Sequence, residues 1–140
     1  MIIQYQYLDT EKLLVQKYKG EWSTEDYMLF VDTIQAKSFE GLIKVLTDLR
    51  EISRFEEAFK NFESLKEIRK RILPVSIVNV QLIDKPGQTA IIHLYQQELS
   101  DTYKYSYCST IKQAIKLLGM NGSITEAEME NILANLKSQF

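Results

Sequence analysis

Val45-Leu46-Thr47-Asp48-Leu49-Arg50 is an apolar run that ends in charge. Apolar residues fill Leu42 through Leu46 except at Lys44, as in a strand covered by helices, and the run is too short to favour a helix. Ser53 and Glu56 follow at once in an S-x-x-E pattern, which predicts a capping box and a new helix. A strand passing directly into a helix belongs in an α/β sheet. It is read here as the central strand, delivering Asp48 and Arg50 to one edge of the domain.

Upstream of it, Ile3, Tyr5 and Tyr7 alternate with Gln4 and Gln6, the period-two pattern of a half-buried strand. Asp9-Thr10-Glu11 turns the chain, and a second run from Leu13 to Lys19 stops at Gly20, so the two strands are expected to pair as an antiparallel hairpin. Ser23 with Asp26 starts a helix carrying Tyr27, Phe30, Val31 and Ile34 on one face, with Trp22 placed to pack on its first turn as a staple.

Downstream, Phe55, Ala58, Phe59, Phe62, Leu65 and Ile72 keep helical spacing, which predicts one long amphipathic helix ending before Pro74. Val75 to Ile83 is the most β-branched segment and reads as a strand with Asn79 and Gln81 on its second face. Residues 86–99 are open to both readings over Thr89 to Tyr95; Ile91, Leu94, Tyr95 and Leu99 fit a helical face better, and Pro86 suits a first turn. Tyr103, Tyr105 and Tyr107 alternate as a strand, and Ser109 is placed to cap a helix that closes at Gly119. Thr125 and Glu128 start a last helix over 125–138, with Met129, Ile132, Leu133 and Leu136 inward on its own domain or against another subunit. The expected architecture is a single α/β domain over 1–140: a mixed, mostly parallel sheet flanked by helices, in the order ββαβαβαβα plus one extra C-terminal helix.

This pattern resembles the STAS superfamily, the fold of bacterial anti-sigma-factor antagonists, and in particular its stand-alone SpoIIAA-like branch. The residues that carry the resemblance are the Lys19-Gly20 strand end, the Val45–Arg50 strand, and the Cys108–Gly119 segment CSTIKQAIKLLG, which looks like that branch's closing strand-to-helix turn. The likeness spans about residues 1 to 120, leaving the last helix outside the common core. It implies a signalling or protein-binding role. In regulatory STAS domains a serine or threonine in a DSSG-like turn after this strand is phosphorylated; here Glu51-Ile52-Ser53-Arg54 stands at that place, and Ser53 alone matches.

Composition excludes several classes. Of 140 residues, 45% are apolar and 26% charged, which is globular, and a net charge of −2 with interspersed signs gives no cationic field for nucleic acid. Stable membrane insertion is not expected, because no apolar run approaches the roughly 20 residues of a span. One cysteine, Cys108, fits a reducing compartment, and the N-terminus lacks the features of a signal peptide, so a cytoplasmic location is expected. One histidine and one cysteine leave transition metals short of ligands, and no GxGxxG or P-loop occurs, so neither metal nor cofactor is expected.

The chain is therefore read as a non-enzymatic interaction or regulatory module, with a protein partner or self-association as a homodimer. Its candidate edge is Asp48, Arg50 and Ser53, and its candidate interface aromatics are Tyr103, Tyr105 and Tyr107. The plainer readings are that Asp48 and Arg50 pair with each other or with neighbouring helix ends, that Ser53 only caps a helix, and that the tyrosines pack against helices. Two rivals stand beside it. One is a carrier of a small apolar or lipid-like ligand held between the sheet and the helix of Phe55, Phe59 and Phe62. The other is an enzyme using Cys108, activated by His93, the only histidine.

Overall fold

A computed structural model describes residues 1–35, 43–71, 77–98 and 103–140. The loop expected at 38–41, residue 42 of the central strand, the helix end at 72–74, the strand start at 75–76 and the helix residue at 99 lie outside these. The hairpin forms as expected: β1 (Ile2–Leu8) and β2 (Leu13–Glu21) are antiparallel, with Ile3 opposite Tyr18 and Tyr7 opposite Leu14. Helix α1 (Thr24–Gln35) starts at the Ser23 cap, whose Oγ accepts the Asp26 N–H at 3.2 Å. Trp22 packs its ring 5.2 Å from that of Tyr27, tilted at 38° and one turn in, so the predicted staple is made.

The chain then enters β3 (Ile43–Arg54), which is longer than the sequence implied. Ser53 lies in this strand, and helix α2 (Glu56–Lys60) begins after it, so the Ser53–Glu56 capping box is not formed. The predicted long helix is two pieces, α2 and α3 (Phe62–Arg71), divided at Asn61, whose side chain donates to Thr24 Oγ1 at 3.3 Å. Strand β4 (Ile77–Leu82) follows, then α4 (Pro86–Glu98), which settles that segment as helix. After β5 (Tyr103–Cys108), helix α5 (Ile111–Leu117) is capped by Thr110, one residue later than expected, and Gly119 at φ +67° ends it in the left-handed region. Helix α6 (Glu126–Ala134) is capped by Thr125 as predicted, and a two-residue strand, β6 (Ser138–Gln139), replaces its expected last turn.

The described strands form one six-stranded sheet in the order β5-β4-β3-β2-β1-β6. Strands β2, β3, β4 and β5 run parallel, joined by helical crossovers, while β1 and β6 are antiparallel additions at one edge. Both faces are covered, which is why β3 is buried almost continuously from Ile43 through Leu49. Helices α1 to α4 pack on one face around Tyr18, Val45, Leu49 and Ile52. Helices α5 and α6 pack on the other around Leu13, Val15, Leu46 and Leu82, and α6 seats its buried Met129 and Leu133 there, on its own domain. No helix among the described residues is long and apolar enough to cross a membrane.

Candidate functional site

Three places at or beneath the carboxyl edge of the parallel strands collect polar side chains. The first is the far end of β3. Lys17 of β2 pairs with Asp48 and Lys19 with Glu51, so β3 takes three steps where β2 takes two; Gly20 then pairs with Ile52 and Glu21 with Arg54, which leaves Ser53 as a second extra residue. Such bulges break the ladder and turn side chains aside. Asp48 answers the first one. Its Oδ1 accepts the Arg50 backbone N–H at 3.1 Å, and the carboxylate takes the guanidinium in a fork, Nε at 3.0 Å and Nη2 at 2.8 Å. The Asp48 side chain is 1% exposed and that of Arg50 34%, so a desolvated carboxylate is matched by a donor set of fitting geometry. The Asp48 hydrogen bond holds the guanidinium pKa above its ordinary value against the opposing effect of burial.

Beyond Asp48, whose partner in β4 is Leu82, β3 continues to Arg54 paired only with β2. The backbone on its open side is closed off by side chains from the next crossover: Gln88 Nε2 donates to Leu49 O at 2.7 Å and Lys85 Nζ to Arg50 O at 2.5 Å. The resulting two-stranded arm is laced by charge, with Glu51 within 3.2 Å of Lys17 and 3.7 Å of Lys19, and Glu21 within 3.3 Å of Arg54. Ser53 is exposed on it. The arrangement thus joins Asp48 to Arg50 and sets Ser53 apart, further out on the same strand.

The second place is an open cleft of about 730 Å³ between α4 and the β5–α5 turn, lined by Lys85, His93, Tyr107, Cys108 and Ser109 among others. Cys108 and His93 border one space but bond elsewhere. The Cys108 thiol donates to Thr110 O at 3.5 Å. Burial pushes its pKa up, opposed by the backbone hydrogen bonding of Thr110 to the thiolate form and by the Arg50 charge. The thiol is therefore kept protonated, the reverse of what a nucleophile needs. His93 Nε2 lies 2.7 Å from the Tyr107 hydroxyl. Of the tyrosines on β5, Tyr107 is half-buried, Tyr105 is buried under α4, and the Tyr103 side chain lies outside the described ones. Among the described residues no three of His, Cys, Asp and Glu cluster to hold a metal ion.

The third place is inside. Gln16, Thr47, Asn79 and Gln81, from three adjacent strands, are all buried, at 7%, 2%, 6% and 2% exposure. They form the floor of a partly enclosed cavity of about 40 Å³ whose walls include Trp22, Tyr27, Phe55, Leu65, Ile92 and Tyr105. Gln16 Nε2 donates to Thr47 Oγ1 at 2.7 Å, Thr47 Oγ1 to Asn79 Oδ1 at 3.5 Å, and Gln81 Nε2 to the same oxygen at 2.6 Å. The carbonyl oxygens of Gln16 and Gln81 have no partner among the described residues. Gln88, just as buried, shows the contrast: its amide donates to Leu49 O and its oxygen accepts the Asp84 N–H, so both ends are matched. A buried acceptor left unmatched costs about 1–3 kcal/mol. Two of them facing one cavity are a feature that folding alone does not require.

Sequence reading found the Asp48–Arg50 pair and missed this floor. The signal was present, since Gln16, Asn79 and Gln81 interrupt apolar strands at period two, but polar alternation is what a solvent-facing side shows as well. No protein-family model, curated protein or solved structure matches the chain.

Proposed function

We propose that the chain is a non-enzymatic recognition module of STAS-like type, engaging a protein partner or a second copy of itself through the arm formed by the end of β2 and the end of β3. The observation that carries this reading is the overrun of β3 past Asp48 to Arg54, which holds Ser53 and the Glu51 and Arg54 charges clear of β4. Beyond Arg50, where the Gln88 and Lys85 contacts end, a strand paired on one side and carrying alternating charge suits recognition by shape and charge complementarity. The Asp48–Arg50 fork supports it as the brace that fixes the first bulge, so its role here is to position the arm. The STAS-like assignment is supported by the hairpin followed by parallel strands with helical crossovers, and a cytoplasmic setting belongs to the same reading. The protonated thiol of Cys108 speaks against the cysteine-enzyme alternative.

A photocrosslinking amino acid at position 53, compared with one at the exposed Glu130 on α6, tests the arm. Cross-links formed preferentially from position 53, to a second copy or to one other protein, are the expected result. Equal yields from the two positions would rule the arm out.

A further inference from the structure

The cavity above the sheet selects its own occupant by size and chemistry. At about 40 Å³ it has room for roughly three water molecules, taking about 10–15 Å³ of accessible space for each. That is also the scale of a group of three non-hydrogen atoms. None of its described lining residues carries a charge, so an ion entering it would shed its hydration with no counter-charge to replace it. A wholly apolar group fits no better, because it would leave the Gln16 and Gln81 oxygens unmatched. What the floor offers is a set of carboxamide edges: two free carbonyl oxygens, and on each glutamine a second amide hydrogen beyond the one used within the network. A planar group with N–H donors on one side and a carbonyl oxygen on the other is complementary to such edges.

We propose that this chamber binds the neutral carboxamide-type end of a small molecule, with its N–H groups donating to the Gln16 and Gln81 oxygens and its carbonyl accepting from their amides. The aromatic wall of Trp22 and Phe55, whose rings stack at 5.8 Å, covers the plane of the bound group. Trp22 is itself held in place, because its indole N–H donates to Thr24 Oγ1 at 3.2 Å. The site goes beyond the recognition arm and does not depend on it, since it uses Thr47 on the α1–α4 face of β3 and neither Asp48 nor Arg50.

The test is a titration of the intact, isotope-labelled protein with three isosteric probes: acetamide, acetone and acetate. Acetamide should shift the side-chain amide signals of Gln16 and Gln81 and the indole signal of Trp22 saturably. Acetone should bind about tenfold more weakly and acetate not at all. Gln16→Met and Gln81→Met, which keep length and remove the hydrogen-bonding ends, should each weaken acetamide about five- to tenfold. Equal, unsaturable shifts with all three probes would overturn the proposal, as would acetamide binding untouched by both substitutions. A crystal grown with acetamide that shows water alone in the chamber would overturn it too. If one variant fails to fold, the other and the three-probe comparison on the unmodified protein still decide.

Discussion

Leu46 and Thr47 are consecutive residues of β3, both buried, and their side chains enter opposite layers. Leu46 meets Leu13, Val15, Val80 and Leu82 under α5 and α6, an interior of hydrocarbon and sulfur in which only shape has to be matched. Thr47 meets Gln16 and Asn79 under α1 to α4, where polar atoms need partners and the Gln16 and Gln81 oxygens have none among the described residues. A layer of the first kind sets stability, because each buried methylene adds about 0.8 kcal/mol with no polar group desolvated against it. A layer of the second kind gives up part of that gain and keeps unmatched hydrogen-bonding groups at a fixed place. The difference assigns the α5–α6 side to holding the fold and the α1–α4 side to binding.

The largest expected effect is on Cys108, which belongs to the hydrocarbon layer at 5% exposure. Iodoacetamide near neutral pH should label it about a thousandfold more slowly, or slower still, in the native protein than in the denatured chain, with labelling following unfolding. Rapid labelling would mean that the α4–α5 cleft reaches the sulfur and that this layer is not dry. The thiol also ties the layer to pH. Its folded-state pKa is raised by burial above the unfolded value, so its contribution to stability is complete below the unfolded pKa and is lost as pH rises through the folded one. The wild type should therefore lose stability towards denaturant on the alkaline side relative to Cys108→Val, which has nothing there to titrate.

Next in size is truncation at the centre of the same layer. Leu46 is fully buried, and Leu46→Ala should cost about 3–4 kcal/mol by urea denaturation with an unchanged slope, as a cavity in a well-packed core does. Across the strand, Thr47→Val keeps the volume and removes the hydroxyl that accepts from Gln16. It should cost about 1–2 kcal/mol, and a double-mutant cycle with Gln16→Leu should recover about 0.5–1.5 kcal/mol as coupling. If the cycle showed no coupling, the polar floor would not act as a network and the contrast between the faces would reduce to composition.

How far this contrast could be read beforehand varied with the range of the forces behind it. The core strand, the hairpin, the Ser23 and Thr125 caps and the α6 stripe follow from local patterns of three to seven residues, and these patterns sufficed. Ser53-x-x-Glu56 is an equally good local pattern, yet the segment is strand, because Gly20 and Glu21 of β2, more than thirty residues away in sequence, pair with Ile52 and Arg54. Propensity gives way to such pairing. Asp48 and Arg50 could be found because charge at a strand end is conspicuous. Gln16, Thr47, Asn79 and Gln81 were hidden for the same physical reason that makes them useful: only the packing of α1 to α4 over them turns an ordinary polar strand face into a closed one. The two-residue strand β6 left no local trace at all, since its pairing with Gln4 and Tyr5 rests on backbone groups that every residue has.

The smallest expected effect on stability lies at the tip of the arm, and there it separates folding from recognition. Arg54 and Glu21 sit 3.3 Å apart with side chains 69% and 68% exposed, so water and salt screen their attraction and both side chains lose rotamer freedom in making it. Arg54→Glu should leave the unfolding free energy from urea denaturation within about 0.5 kcal/mol of wild type. If the arm is a recognition surface, the same substitution places two like charges where the partner meets opposite ones, and cross-linking from position 53 should drop while acetamide binding in the chamber is unchanged. A loss of stability well beyond that range would make the pair part of the scaffold. Retained cross-linking with retained stability would leave the arm's charges without a role in the contact, and the Asp48–Arg50 brace would then serve the fold alone.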